Sequence, residues 1–289
     1  MDYRGFQPRE EVNFKYWIYD LMRKSTIIVL SLIVISILSA YVINQPGLSP
    51  EQAPPRKELL VYCGITMIQP MSEIASILEK RENIKISIIK GGSGNLLRSI
   101  KFNRLGDLYL PGSESYIQQA MENDLIEEST HIGYNKAAIM VRQGNPKNIP
   151  AEVTTLLDPD LYIVIGNPDT GSIGKETKKI LTAAGIFNQA MQNARELTTD
   201  SKRLVEVLKK GEADLVINWY ATATWPENSE QIDALPIDEK YALKKKLVLG
   251  LLKTSKYPEL AKKFMDYAAS DTGRSIFERY GLYTVDQNI

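Results

Sequence analysis

Cysteine and histidine are almost absent from this chain of 289 residues, with Cys63 and His131 as the single examples. One cysteine has no partner for an intrachain disulfide, and the two residues together cannot supply a zinc site or a Cys/His nucleophile. Cys63 lies within an apolar strand pattern, so we expect a small buried side chain. His131 has no carboxylate or serine at a recognisable spacing, and we expect an ordinary surface or hinge residue.

An excess of charge of either sign is also missing. The chain has 35 Lys and Arg against 35 Asp and Glu, so its formal net charge is zero. No basic stripe with interleaved aromatic residues appears, which argues against nucleic acid as a partner. No activated nucleophile or tuned acid/base pair is recognisable, so we predict that the chain is not an enzyme and has no metal site. Its length suffices for two lobes with separate cores or for one large α/β domain.

One long apolar run is present, and it predicts a transmembrane anchor at residues 25–43. The run has no charged residue and matches the roughly 20 apolar residues that span a bilayer. A cleaved signal peptide is the alternative, with a weak cleavage site at residues 38–40. We favour the anchor because 24 residues precede the run and because aromatic residues lie before Arg23 and Lys24. This basic pair predicts that residues 1–24 are cytoplasmic. Prolines in residues 44–57 indicate an extended linker to a domain outside the membrane.

Two turns from strand to helix are the most informative feature of the remaining sequence. An apolar strand at 59–63 leads through Gly64 to Thr66, and a second at 84–90 leads through glycines to Ser93. Free N–H groups at a helix start carry partial positive charge, so two such turns side by side would form a cradle for an anion. This arrangement indicates binding rather than turnover.

Strands and helices alternate along the rest of the chain, which indicates mainly parallel sheets covered by helices. Strands predicted near residues 137–143 and 246–252 would cross between two lobes. We therefore predict a two-lobed α/β protein with lobe I at 58–137 and 247–289, and lobe II at 138–246. Trp219 and Trp225 are expected to pack at the lobe surface.

Several stretches resemble, in the same order, those of periplasmic molybdate/tungstate-binding proteins, the oxyanion receptors of ABC importers. The resemblance covers Leu59 to Val285. After the first strand and helix, it rests on the stretches GGSGNLLRSI, GDLYLPGSESYIQQA, GNPDTGSIGKETKKILTAAG, ADLVINWYATA and GRSIFERYGL. It implies a type II periplasmic-binding-protein fold with hinge strands. It also implies a domain on the periplasmic side of the inner membrane and an ABC permease as partner.

In the family, hydroxyls and backbone amides hold a tetrahedral oxyanion between the lobes. The resemblance places these roles on the following residues: Thr66, Ser93, Ser172, Ile173, Lys202 and Tyr220. Molybdate or tungstate would be the ligand, and no cofactor is implied. Molybdate has no proton at neutral pH, so its site should offer donors only, whereas an added carboxylate would distinguish monohydrogen phosphate. The sequence departs from the family at Thr66 and Lys202, and Asp169 and Asp200 would repel an anion if they pointed inward. We expect the Lys202 side chain to face solvent.

Simpler roles exist for each of these residues. Thr66 and Ser93 are typical helix-capping residues, and Tyr220 at a strand end is typical of a core. The second function that the sequence allows is a membrane-anchored accessory subunit of a larger complex, with a receptor fold that no longer binds ligand. The anchor and the aromatic segment before it motivate this alternative, because a soluble receptor needs neither.

Overall fold

A computed structural model describes residues 10–43 and 56–284. The chain divides into two compact units, Met1–Pro55 and Arg56–Ile289. Most of the predicted linker, and the first nine residues of the predicted cytoplasmic segment, lie outside the described residues.

The described part of the first unit is one helix, α1 (Glu10–Ile43). Its apolar part, Tyr16–Tyr41, has a mean hydropathy of 2.0 and none of it is buried. At about 1.5 Å per residue, this stretch is long enough to cross a hydrocarbon core of about 30 Å. The helix begins well before the predicted span, so Arg23 and Lys24 lie within it. A signal peptide that is later cleaved meets the same criteria of length and apolarity, and the anchor stays a prediction.

The second unit alternates strands and helices. Its helices are α2 (Ile68–Glu82), α3 (Ser93–Asn103), α4 (Glu114–Glu122), α5 (Ser172–Ala183), α6 (Phe187–Asn193), α7 (Ser201–Lys209), α8 (Pro258–Ala269) and α9 (Asp271–Arg279). Its strands are β1 (Glu58–Gly64), β2 (Lys85–Gly91), β3 (Leu108–Leu110), β4 (Ile126–Asn135), β5 (Ala137–Arg142), β6 (Ile163–Gly166), β7 (Glu196–Thr198), β8 (Leu215–Trp219), β9 (Ile232–Pro236) and β10 (Lys245–Leu252).

These strands form two sheets of five. The first sheet has the order β2-β1-β3-β10-β4, and the second has the order β7-β6-β8-β5-β9. In each sheet the first three strands are parallel and the last two pair antiparallel. The expectation of mainly parallel sheets holds for only half of the pairings, because one strand of each sheet, β10 in the first and β5 in the second, runs opposite to the other four. Each of these strands enters directly from the other sheet and not through a crossover helix within its own sheet, which a parallel neighbour would require.

The chain passes between the sheets at two places. It leaves the first sheet at Lys136, between β4 and β5, and it returns through residues 237–244, between β9 and β10. β5 and β10, which the sequence predicted as the crossing strands, each belong to one sheet, and the crossings come just before them.

Each sheet has its own apolar core. One cluster fills the second sheet and its helices, with Trp219 among its fully buried side chains. Two clusters cover the opposite faces of the first sheet. Cys63 belongs to one of them and is fully buried, in line with the sequence-based expectation, and burial raises the pKa of its thiol.

Candidate functional site

The candidate site lies where the carboxyl ends of the parallel strands of both sheets meet. In the first sheet β1 lies between β2 and β3, and in the second β6 lies between β7 and β8. The strands that follow β1 and β6 in the chain thus lie on opposite sides of them, and such a reversal of strand order is the switch point at which open α/β sheets bind ligands. A cavity of about 10 Å³ occupies this place, lined by residues 64–66, 91–93, 171–173 and 200–201 and by Gly112. Residues from both sheets therefore form one site.

Glycines precede most of the helical segments that start at this cavity. Gly64 precedes a 3-10 turn at Ile65–Met67 that leads into α2, while Gly92 precedes α3 and Gly171 precedes α5. None of these positions has a side-chain cap. A helix start without a cap leaves N–H groups and the positive end of the helix dipole for another acceptor. Three helical segments thus direct donors toward the same cavity.

The fourth helix at the cavity, α7, differs because its own chain caps it. Asp200 accepts hydrogen bonds at Oδ1 from the amides of Lys202 (2.9 Å) and Arg203 (3.2 Å). Thr199 donates its hydroxyl to the other oxygen, Oδ2, at 3.3 Å. The Asp200 carboxylate is therefore used by neighbouring donors on its own segment.

Two buried serine hydroxyls at the cavity are oriented by hydrogen bonds that they accept. Ser93 Oγ accepts from the Gly112 amide at 3.0 Å, and Ser172 Oγ accepts from the indole N–H of Trp219 at 3.1 Å. A hydroxyl that accepts one hydrogen bond still has its own proton to donate. Each serine can therefore donate to an anion in the cavity.

The two sheets approach each other backbone to backbone beside these serines. The amides of Gly94 and Asn95 in the first turn of α3 donate to the Thr170 carbonyl of the second sheet, at 3.1 and 3.4 Å. A Cβ atom at Gly92 would lie 2.6 Å from the same carbonyl oxygen, so only glycine permits this approach. Two of the donors at the start of α3 are thus satisfied by protein rather than free.

No lysine or arginine is among the residues that line the cavity, and Asp200 is the one ionisable residue among them. Thr66 and Ser201 add two more buried hydroxyl residues, at 2% and 5% exposure. The described residues contain no group of three or more His, Cys, Asp or Glu positioned for a metal ion. The lining is therefore rich in neutral donors, which suits a small anion.

The structure brings together Thr66, Ser93, Ser172 and Ile173, four of the residues predicted for the site. It does not bring Lys202 to the cavity lining. The Lys202 amide is bonded to Asp200, and its ammonium lies 3.6 Å from Glu206 with the side chain 62% exposed. The side chain thus faces solvent, as the sequence analysis expected.

Tyr220 also lies outside the cavity lining. It follows β8 directly, its amide donates to the Lys136 carbonyl at 2.8 Å, and its ring centroid is 6.0 Å from that of Tyr283. Tyr220 therefore contacts the first crossing between the sheets.

Sequence reasoning missed the part that Trp219 plays. We expected this residue at the lobe surface, but it is fully buried and its indole orients Ser172. Trp225 is likewise 7% exposed rather than superficial. The position of Trp219 at the end of the apolar strand β8 could have placed it near the site, because the residues that follow strand ends line the cavity in both sheets.

Relatives with assigned names are distant but cover most of the chain. A provisionally named binding protein of Haemophilus influenzae is 25% identical over 225 residues, which are 78% of this chain and 90% of that protein. A Bacillus subtilis protein, provisionally named as an ABC transporter substrate-binding lipoprotein, is 22% identical over 91% of this chain and 99% of its own.

Solved structures share the fold. The substrate-binding domain of a molybdenum ABC transporter protein from Clostridium difficile aligns with a TM-score of 0.59 and 20% identity, over 79% of this chain and 99% of that domain. The Mycobacterium tuberculosis sulfate-binding protein aligns with a TM-score of 0.69 and 14% identity, over 80% of this chain and 88% of that protein. A periplasmic thiamin-binding protein aligns with a TM-score of 0.68 and 18% identity, over 84% of this chain and 87% of that protein. At these identities the likeness shows the fold alone.

The structural likeness confirms the predicted α/β fold of the type II periplasmic binding proteins. Residues 59–283 match one family over most of the chain. The chain belongs to the bacterial extracellular solute-binding protein family.

Proposed function

We propose that this protein captures a tetrahedral oxyanion of the molybdate or tungstate type for an ABC importer, and that α1 anchors it in the inner membrane with the two sheets on the periplasmic side. The observation that carries the proposal is the convergence of uncapped helix starts and buried hydroxyls on one cavity without a basic side chain. Such a site neutralises an anion with dipoles and hydrogen bonds, as helix starts do for phosphate and sulfate.

The donor set favours an anion that carries no proton. The two oriented serines and the free amides can donate to it, while the Asp200 oxygens already accept from three neighbouring donors. A protonated anion such as monohydrogen phosphate would need an acceptor for its hydrogen. Two of the similar structures carry molybdenum and sulfate in their names, and both molybdate and sulfate are fully ionised tetrahedral anions.

Ligand entry requires the two halves to separate. The cavity of about 10 Å³ is near the space needed for one water molecule, so a five-atom oxyanion must displace the backbone around it. We propose two lobes, residues 58–137 with 247–289 and residues 138–246, that open at the crossings near Lys136 and residues 237–244. A ligand that contacts both lobes shifts the population toward the closed form.

A thermal-unfolding panel on the full chain in neutral detergent tests the proposal. Molybdate, tungstate, sulfate and phosphate are compared with chloride at matched ionic strength. A ligand present at 100 times its dissociation constant stabilises the folded state by about 2.7 kcal/mol, which raises Tm by several degrees. We expect molybdate or tungstate to give the largest rise. No rise with any oxyanion at millimolar concentration would refute the proposal.

A second candidate is a membrane-anchored accessory subunit whose receptor fold holds no ligand. The contacts of Gly94 and Asn95 with Thr170, together with the small cavity, favour it, because the protein itself satisfies donors that an anion would use. Under this function no oxyanion changes the Tm, and the chain copurifies with other membrane subunits in stoichiometric amount.

A further inference from the structure

A second and much larger cavity lies outside the candidate site. It is a groove of about 780 Å³ between α3 and α4 of the first sheet and α5 of the second. Its walls include the apolar side chains of Leu97 and Ala183 and the aromatic ring of Tyr116. The groove therefore has room for a ligand far larger than a single oxyanion, and a ligand there would contact both sheets.

Basic side chains dominate this groove, which we call the basic groove. Five of them line it, from both sheets: Arg98, Lys101, Lys175, Lys178 and Lys179. Asp169 is the single acidic residue of the lining, and its backbone carbonyl accepts from Arg98 Nη1 at 3.2 Å. The concentration of positive charge is unexpected in a chain whose net charge is zero.

These five side chains lack the acidic partners that lysines elsewhere in the fold have. Lys85, Lys147 and Lys263, for example, lie 2.5 to 2.9 Å from a carboxylate oxygen. Within residues 56–284, no ion pair involves a basic residue of the groove. No carboxylate of these residues therefore lies within ion-pair distance of the five basic side chains.

Lys175 shows the electrostatic consequence. Its ammonium lies 5.0 Å from the centroid of the Tyr116 ring. Partial burial lowers the pKa of Lys175 and the neighbouring charge of Lys179 lowers it further, while the charge of Glu122 on α4 opposes them. Like charges are thus held close together at a cost that a bound anion would relieve.

We propose that the basic groove binds a polyvalent, phosphate-bearing anion and that this ligand bridges the two sheets. Several negative charges are needed to match five cations, and the volume suits a chain of linked phosphates or a phosphorylated organic molecule rather than one tetrahedral ion. Because Arg98 and Lys101 belong to α3 while the three lysines belong to α5, binding holds the halves in the closed arrangement.

Calorimetric titration of the full chain in neutral detergent with inorganic triphosphate tests this site. The variant Lys101→Glu/Lys179→Glu changes one cation on each side of the groove. Lys80→Glu/Lys256→Glu is the matched control, since it makes the same change in net charge at exposed lysines outside the groove. We expect binding that weakens with rising salt, at least about tenfold weaker in the groove variant and nearly unchanged in the control.

Two outcomes would overturn the proposal. Equal losses in both variants would show a response to net charge rather than to the groove, and the absence of triphosphate binding would show that the cations serve no such ligand. Phosphate groups also occur in lipid headgroups, so mixed micelles with anionic phosphatidylglycerol form a second arm. Groove-dependent binding to these micelles without triphosphate binding would equally reject a soluble ligand. The proposal does not depend on the oxyanion site, whose Tm panel is measured separately.

Discussion

Glu176 on α5 and Lys245 on β10 form an ion pair between the two sheets, with 3.1 Å between Oε1 and Nζ. The Glu176 side chain is only 4% exposed, and Lys245 stands opposite Asn135 at the end of β4, next to the first crossing. A buried carboxylate and its cation thus join the sheets close to the crossings.

The first prediction concerns this pair. Lys245→Met leaves the Glu176 carboxylate buried without its cation, which is expected to lower the free energy of unfolding by on the order of 3 kcal/mol. Adding Glu176→Gln removes the buried charge and should recover much of the loss. Denaturant unfolding of both variants measures the difference. A double variant no more stable than Lys245→Met would contradict an energetic coupling between the two residues.

The second prediction concerns the oriented serines. Ser93→Ala and Ser172→Ala each remove a donor to a charged ligand, so the binding free energy of the preferred oxyanion should weaken by about 1.5–3 kcal/mol. Titration calorimetry measures it, with Ser275→Ala on the exposed face of α9 as control. If stability falls while affinity is unchanged, the hydroxyls serve only the Gly112 and Trp219 donors.

The third prediction concerns Lys202. The Lys202 amide donates to the capping carboxylate of Asp200, and its ammonium is exposed beside Glu206. Lys202→Ala should therefore change the free energy of oxyanion binding by less than about 1 kcal/mol. Titrations of wild type and variant at two salt concentrations provide the measurement. A large, salt-dependent loss in the variant would place the ammonium near the anion.

The fourth prediction concerns pH. Partial burial lowers the pKa of His131, and the charges of Lys246 and Arg274 lower it further. The hydrogen bond to the Gly133 carbonyl and the charge of Glu114 oppose them without reversing the direction. In the unfolded chain the pKa of His131 is near 6.5, so its ring takes up a proton at a higher pH there than in the folded protein. The free energy of unfolding should fall as pH drops from 6.5 toward the lower folded pKa, and it should lose nothing from this group above that window.

His131→Asn supplies the control for this effect, because it has no titrating ring. Urea unfolding between pH 7.5 and 5 should show a shallower dependence in the variant, since the carboxylates titrate at lower pH. Parallel curves for wild type and variant would remove His131 as the cause.

The fifth prediction concerns topology. The mature chain should begin near Met1, remain in the membrane pellet through carbonate washing, and expose residues after Asn44 to external protease. N-terminal sequencing of the purified protein distinguishes the anchor from a signal peptide, which would leave a mature terminus near Tyr41.

Local sequence patterns predicted the strands with apolar runs and missed the others. β4, β7 and β9 were not expected, and all three lie at sheet edges. The exposed side of an edge strand carries polar residues, as Glu127 and Glu128 do in β4, so no apolar run marks it. The interior strands β1, β6 and β8 are buried on both faces, and their apolar runs were recognised.

What the sequence determined by itself was local: the helix starts, the glycines before them and the small hydroxyls beside them follow from neighbouring residues. Tertiary structure decided which of these donors remain free. The Asp200 carboxylate turned to its own helix, the Thr170 carbonyl reached the start of α3, and Trp219 reached Ser172. Two of these three contacts join segments far apart in the chain, and tertiary packing, within the second sheet for one and between the sheets for the other, sets their distances. No pattern within a single segment encodes such distances.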